Sequence, residues 1–282
     1  MDREFILALL LAGAATLIGG LVVPGSGALG PSSGALRERM AFRRLLSPLA
    51  PAVVLLAGLA GFALVETEAV EAAEVVPTTA ILLALAFGVV VVRAVARAAV
   101  SMLRVQSTRT AAVMGLLRPH TCIAEAFARS LTAGERAAVQ LHEEAHVRHK
   151  DPLRLWLGQI VADLQWPAPA AVERLAAWRF ALELARDDEA RSHGSEGADL
   201  AAAVLKAARI EGGQCGPMVG LTGEAAHLRE RVERLLAPLA GDTEQARETP
   251  HVPVFFATLA LAFPCGAAFG ERLISNVLGW TL

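Results

Sequence analysis

The chain has 282 residues, of which 54% are hydrophobic and 19% charged, and its formal net charge is −2. A mean hydropathy of +0.47 is too apolar for an ordinary soluble domain of this length. The near-neutral balance supplies no basic field for broad nucleic-acid binding, so no direct nucleic-acid partner is expected.

Taken in chain order, four apolar stretches are long enough to cross a bilayer as helices: residues 5–23, 47–65, 75–92 and 252–270. The first opens Met-Asp-Arg-Glu, without the basic segment of a secretory signal, and reads as a retained membrane helix. The connection after it carries Arg37, Arg39, Arg43 and Arg44 against Glu38, which assigns it to the cytoplasmic side. The next connection carries Glu66, Glu68, Glu71 and Glu74 and no basic residue, which suits the outer face. Arg93, Arg97 and Arg104 then draw the end of the third stretch inward. The expected organisation is residues 1–104 with three spans, a cytoplasmic domain over 105–250, and residues 251–282 with a fourth span and a short tail. Membrane lipids are therefore expected neighbours. Cys122, Cys215 and Cys265 show no CxxC spacing, so neither a disulfide framework nor a thiolate metal site is indicated.

Within the 105–250 block the pattern is helical, with residues 105–121 as the least readable part and room there for a short strand or two. Thr132-Ala133-Gly134-Glu135 reads as a capping box, and Ala137, Ala138, Leu141 and Ala145 follow at helical spacing. On that helix lies His142-Glu143-Glu144-Ala145-His146, an HExxH motif. Positions i and i+4 share a helix face, so His142 and His146 can offer imidazole nitrogens to one metal. Glu143 then falls beside the metal, where a carboxylate can take a proton from the attacking water. A catalytic zinc site needs a third protein ligand. Glu183 is the candidate, in a second helical stretch without Gly or Pro from residue 170 to 192. Asp187, at i+4 from Glu183, can orient a ligand or brace the helix pair. Asp151 can do the same for a histidine or can cap the next helix, since it precedes Pro152. Residues 152–165 are apolar, as a core helix or one lying at the membrane surface would be. Trp166-Pro167-Ala168-Pro169 breaks the chain before the Glu183 helix. Further helices are expected at 198–210 and 224–237, joined by a Gly-rich loop at 211–223.

Three spans, a helix ending in HExxHxxxxD, a Trp-x-x-Pro turn, an ExxxD helix and a fourth span together resemble the BlaR/MecR-type (antirepressor) membrane zinc metallopeptidases. The stretch Arg229-Glu230-Arg231-Val232-Glu233-Arg234 resembles the arginine-containing helix late in that family's domain. The resemblance implies a mainly α, four-span protein of the bacterial cytoplasmic membrane with a gluzincin-like peptidase domain facing the cytoplasm. It further implies Zn2+ on His142, His146 and Glu183, with Glu143 as the catalytic carboxylate. The protein substrate it suggests is a small repressor of the BlaI/MecI type, cleaved to raise transcription. The departure is at the C-terminus, where only residues 271–282 follow the fourth span, so direct β-lactam sensing is not expected. HtpX-like and CAAX-processing membrane proteases share HExxHxxxxD and ExxxD and form the nearest alternative. A catalytically silent membrane signalling protein is another, against which the intact Glu143 speaks. Arg231, His120, His193 and His227 are candidates to stabilise an oxyanion. The sequence leaves the oligomeric state open.

Overall fold

The computed structural model describes residues 3–25, 33–65, 78–103, 109–212 and 221–238. The expected fourth span, the acidic connection at 66–74 and most of the Gly-rich loop lie outside these residues. The described chain is mainly helical: α1 (Arg3–Val22), α2 (Gly34–Leu46), a 3-10 turn (Ser47–Leu49), α3 (Ala50–Val65), α4 (Thr78–Leu103), β1 (Ala111–Met114), β2 (His120–Ile123), α5 (Glu125–Ser130), α6 (Ala133–Arg148), α7 (Asp151–Leu164), α8 (Pro169–Ser192), α9 (Gly197–Gly212) and α10 (Leu221–Leu236).

The apolar helix α1 packs on both α3 and α4. Their remaining surfaces stay apolar and uncovered: Ile18 and Leu21 on α1, Leu56 on α3, and Leu82, Leu83 and Val89 on α4 are all exposed. A contiguous apolar surface of this kind is what a bilayer covers. Among the described residues two helical stretches are long and apolar enough to cross a membrane, Gly34–Gly61 and Thr78–Met102, while the apolar part of α1, Ala8–Val22, is shorter.

The basic connection after the first span is not a loop. Ser33 Oγ accepts a hydrogen bond from the Leu36 amide and starts α2, which then lies along α8. The two helices approach closely at Gly34, where a Cβ would sit 2.6 Å from the Leu184 carbonyl oxygen. Ala41 and Leu45 of α2, Ala162 of α7, and Leu175, Trp178, Ala181 and Leu182 of α8 form one buried cluster. Fully burying a leucine such as Leu45, Leu175 or Leu182 contributes about 1.5–3 kcal/mol relative to exposure. Glu38 joins the same wall, accepting from Arg154 and from the Trp178 indole N–H.

A second cluster joins α6, α8, α9 and α10 through Ala138, Ala190, Leu200, Ala201 and Leu235. A third sets Phe127, Leu131, Val139 and Ala203 beneath the hairpin. That hairpin is antiparallel, pairing Ala111 with Ile123 and Met114 with His120, and its turn uses Gly115 at φ 92. It supplies the short strands expected near residues 105–121. Helix α7 packs between α4 and α8, so it is a core helix of the assembly. Trp166-Pro167 is a cis peptide, and Pro169 occupies the first turn of α8, where a missing N–H costs nothing.

Candidate metal centre

The HExxH helix is fixed at its start by the capping box read from the sequence. Thr132 Oγ1 accepts from the Glu135 amide at 3.2 Å, and the Glu135 carboxylate accepts from the Thr132 amide at 2.7 Å. Lys206 of α9 places its ammonium 2.5 Å from the same carboxylate and, with these hydrogen bonds, holds its pKa below the usual range. The packing face carries Ala138 and Ala145, both buried, so α6 sits close to its neighbours and its histidines point inward.

His142, His146 and Glu183 meet at one point. The two Nε2 atoms are 3.1 Å apart, and the Glu183 carboxylate lies 3.6 Å from each. Ligand atoms about 2.1 Å from a tetrahedral zinc ion stand about 3.4 Å from one another, so the spacing fits such an ion. The donor chemistry fits as well. Asp151 Oδ2 lies 2.8 Å from His146 Nδ1, and Asp187 Oδ1 lies 3.0 Å from His142 Nδ1 at a slant short of a good hydrogen bond. With each Nδ1 turned to an anion, each neutral imidazole presents its Nε2 lone pair to the other and to Glu183. Three acceptors converging on one point call for a cation.

The electrostatics say the same. Burial lowers the pKa of His142, but its contacts with Asp187 and Glu183 outweigh that and raise it to about 10. A site that draws a proton onto an imidazole in this way favours positive charge there. Burial would raise Glu183, yet Arg231 and the two histidines hold it well below the carboxylate range. Asp151 is likewise held low, with His146 and Arg186 overcoming its burial. Glu143 is the exception: burial raises its pKa against the pull of both histidines, which makes it the more basic carboxylate.

Two arginines complete the centre. Arg231 of α10 donates through Nε and Nη2 to Asp187, each at 2.9 Å, and sets Nη1 3.0 Å from Glu183. Arg186 of α8 grips Asp151 through Nε at 2.5 Å and Nη2 at 2.9 Å. Arg154 adds a third contact to Asp151 at 3.0 Å. The Asp151 carboxylate is therefore a brace for His146, and the cap position of α7 belongs to Lys150 with no side-chain hydrogen bond. Of the two adjacent acids, Asp187 faces the centre while Asp188 accepts from Arg234 and from the Gly34 amide. Sequence reasoning missed Arg186. Its only signal was an arginine three residues after Glu183, one of several on that helix.

Among the described residues the other histidines stand apart from the ligand set. His149 lies on Glu189 at 2.9 Å, His193 caps the end of α8 on the Glu189 carbonyl, and His120 is on β2. His227 stacks on Phe180 with ring centroids 4.1 Å apart, in the wall of a cleft of about 2170 Å3 that also exposes His142, Glu143, Glu183 and Arg231. A cleft of this size opening onto three side chains that could hold a metal ion, with the Glu143 carboxylate beside them, is the arrangement expected of an HExxH metallopeptidase. The chain matches the family described as BlaR1 peptidase M56 over residues 50–235, and it belongs to that family of metallopeptidases. No curated protein and no solved structure matches it.

Proposed function

We propose that the protein is an integral-membrane zinc endopeptidase whose active centre faces the cytoplasm. The observation that carries the reading is the convergence of His142, His146 and Glu183 at 3.1–3.6 Å, with Glu143 lining the same cleft. These three side chains would hold the ion, which supplies Lewis acidity that makes a water more acidic and a peptide carbonyl more electrophilic. Glu143, with its raised pKa, accepts the proton of the attacking water and delivers it to the leaving amine. Arg231 fixes the Asp187 and Glu183 carboxylates and keeps further N–H donors for the oxyanion that forms in the cleft. Asp151 and Asp187 hold the imidazoles by Nδ1 so that Nε2 stays turned to the ion.

The docking of α2 supports the cytoplasmic orientation. Its arginines Arg37, Arg39, Arg43 and Arg44 mark the cytoplasmic side of a bilayer, and α2 is packed on the helix that bears Glu183. Four crossings, with residues 252–270 as the last, follow from the same charge pattern. A reporter fused within residues 241–249 should report cytoplasm and one after Leu282 the exterior; both on one side would remove the fourth span. The substrate we infer is a small dimeric repressor of the BlaI/MecI type, on the strength of family membership. Glu143→Gln should bind zinc normally and cut nothing. In cells, the repressor should stay intact with that variant and be cleaved with wild type. Wild-type proteolysis by Glu143→Gln would refute the mechanism. Accumulation of damaged membrane proteins with an uncut repressor would replace the regulatory role by a quality-control one.

A further inference from the structure

One wall of the cleft carries a polar network with no part in the centre just described. Arg179 of α8 donates to the Gln159 amide oxygen at 3.0 Å, and Gln159 of α7 donates to Asp163 at 3.2 Å. Asp163 also receives Arg97 at 3.1 Å and Arg93 at 3.4 Å, both from α4. All five side chains line the cleft. Asp163 is buried and, among the described residues, is the only carboxylate of the network, so Arg93 and Arg97 share its charge and Arg179 reaches it only through Gln159. Among the described residues no carboxylate pairs with Arg179, and its side chain is exposed along the cleft wall. The other acids of the cleft are engaged elsewhere, Glu183 on Arg231 and Glu211 on Thr110, while Glu143 lies at the centre.

Resting on the peptidase reading above, we propose that this network is a specificity subsite for an acidic side chain of the polypeptide substrate. Helical spacing sets the distance. Arg179 and Glu183 are i and i+4, about 6 Å apart along α8 and on one face. An extended substrate advances about 3.3 Å per residue, so a chain cut at the centre carries the side chain about two residues away past Arg179. A guanidinium with free donors takes a carboxylate in a two-pronged, charge-assisted hydrogen bond. Arg97 and Arg93 extend the preference further from the cut, towards the end of α4.

The test uses the full chain in nanodiscs of neutral lipid, supplied with zinc and a mixed peptide library, with cut positions read by mass spectrometry. Wild type should favour Asp or Glu about two residues from the cut on one side. Arg179→Glu should favour Lys or Arg there, and Arg179→Gln should show no charge preference. The same charge profile in wild type and Arg179→Glu overturns the subsite while leaving the peptidase reading intact. Cutting that persists in Glu143→Gln overturns the peptidase reading instead. A binding arm runs without turnover, measuring anisotropy of a labelled Glu-rich peptide on the Glu143→Gln protein. Adding Arg179→Glu should weaken binding at least about tenfold, since a like charge then faces the peptide; unchanged affinity overturns the subsite. If Arg93→Glu and Arg97→Glu alter activity only in bilayers containing an anionic lipid, with the peptide profile unchanged, the network binds headgroups and the proposal falls.

Discussion

The two histidines are braced by similar parts in different surroundings. Behind His146, Asp151 is gripped by Arg186 and Arg154, and the Arg186 side chain is only 3% exposed and away from the cleft. Behind His142, Asp187 is gripped by Arg231 with the same fork, but Arg231 lines the cleft and also touches Glu183. The first assembly is sealed and can only hold shape. The second is open to substrate and can both hold shape and meet charge that develops during reaction. The same Asp–Arg pair thus serves as framework in one place and as part of the working surface in the other, and exposure decides which.

The largest effects should come from the arginines. Arg231→Ala should lower turnover of folded, metal-loaded protein about 10²–10³-fold, as loss of an oxyanion donor does. Arg186→Ala should leave turnover of its folded fraction within about tenfold of wild type, while leaving a buried Asp151 short of its partner at a cost of about 3–5 kcal/mol in stability. Steady-state kinetics scaled to zinc content, with thermal unfolding in detergent, separate the two; equal losses of turnover would break the comparison. Next, Asp151→Asn and Asp187→Asn should weaken metal binding about 10–100-fold in chelator competition. The larger loss should belong to Asp151→Asn, because its contact with His146 is a good hydrogen bond and that of Asp187 with His142 is slanted. The smallest effect concerns acid. Asp151 has a folded pKa held below its unfolded value of about 4, so its stabilisation is complete above that value and is lost as pH falls below it. Unfolding temperature should therefore drop less steeply below about pH 4 in Asp151→Asn than in wild type.

Local patterns made much of this architecture legible. The capping box starts α6 where Thr132 and Glu135 indicated, and Pro169 opens the uninterrupted helix that bears Glu183. The i and i+4 spacing was enough to bring His142 to His146, and to favour Asp187 over Asp188 as the acid nearest the centre. What escaped was long-range. Arg186 finds Asp151 across the gap between two helices, and Glu38 finds Arg154 and Trp178 from more than a hundred residues away. Such partners are chosen by packing, which leaves no periodic trace in one sequence. For the same reason α2 passed for a connection: its arginines stand out in the sequence, while the apolar stripe that docks it is only Ala41, Leu45 and their neighbours.

That docking bears on where the peptidase ends. Cutting the chain before residue 105 would leave the 105–250 block contiguous in sequence yet stripped of α2. Trp178 and Leu182 would lose Ala41 and Leu45, Asp188 would lose the Gly34 amide, and Gln165 would lose the Leu45 carbonyl it now donates to. The peptidase unit is thus discontinuous, assembled from α2, which lies between the apolar helices α1 and α3, and a block that follows much later in synthesis. Its ribosomal order matters: α2 is made well before the helix carrying Glu183, which packs on it as well as on α6 and α7.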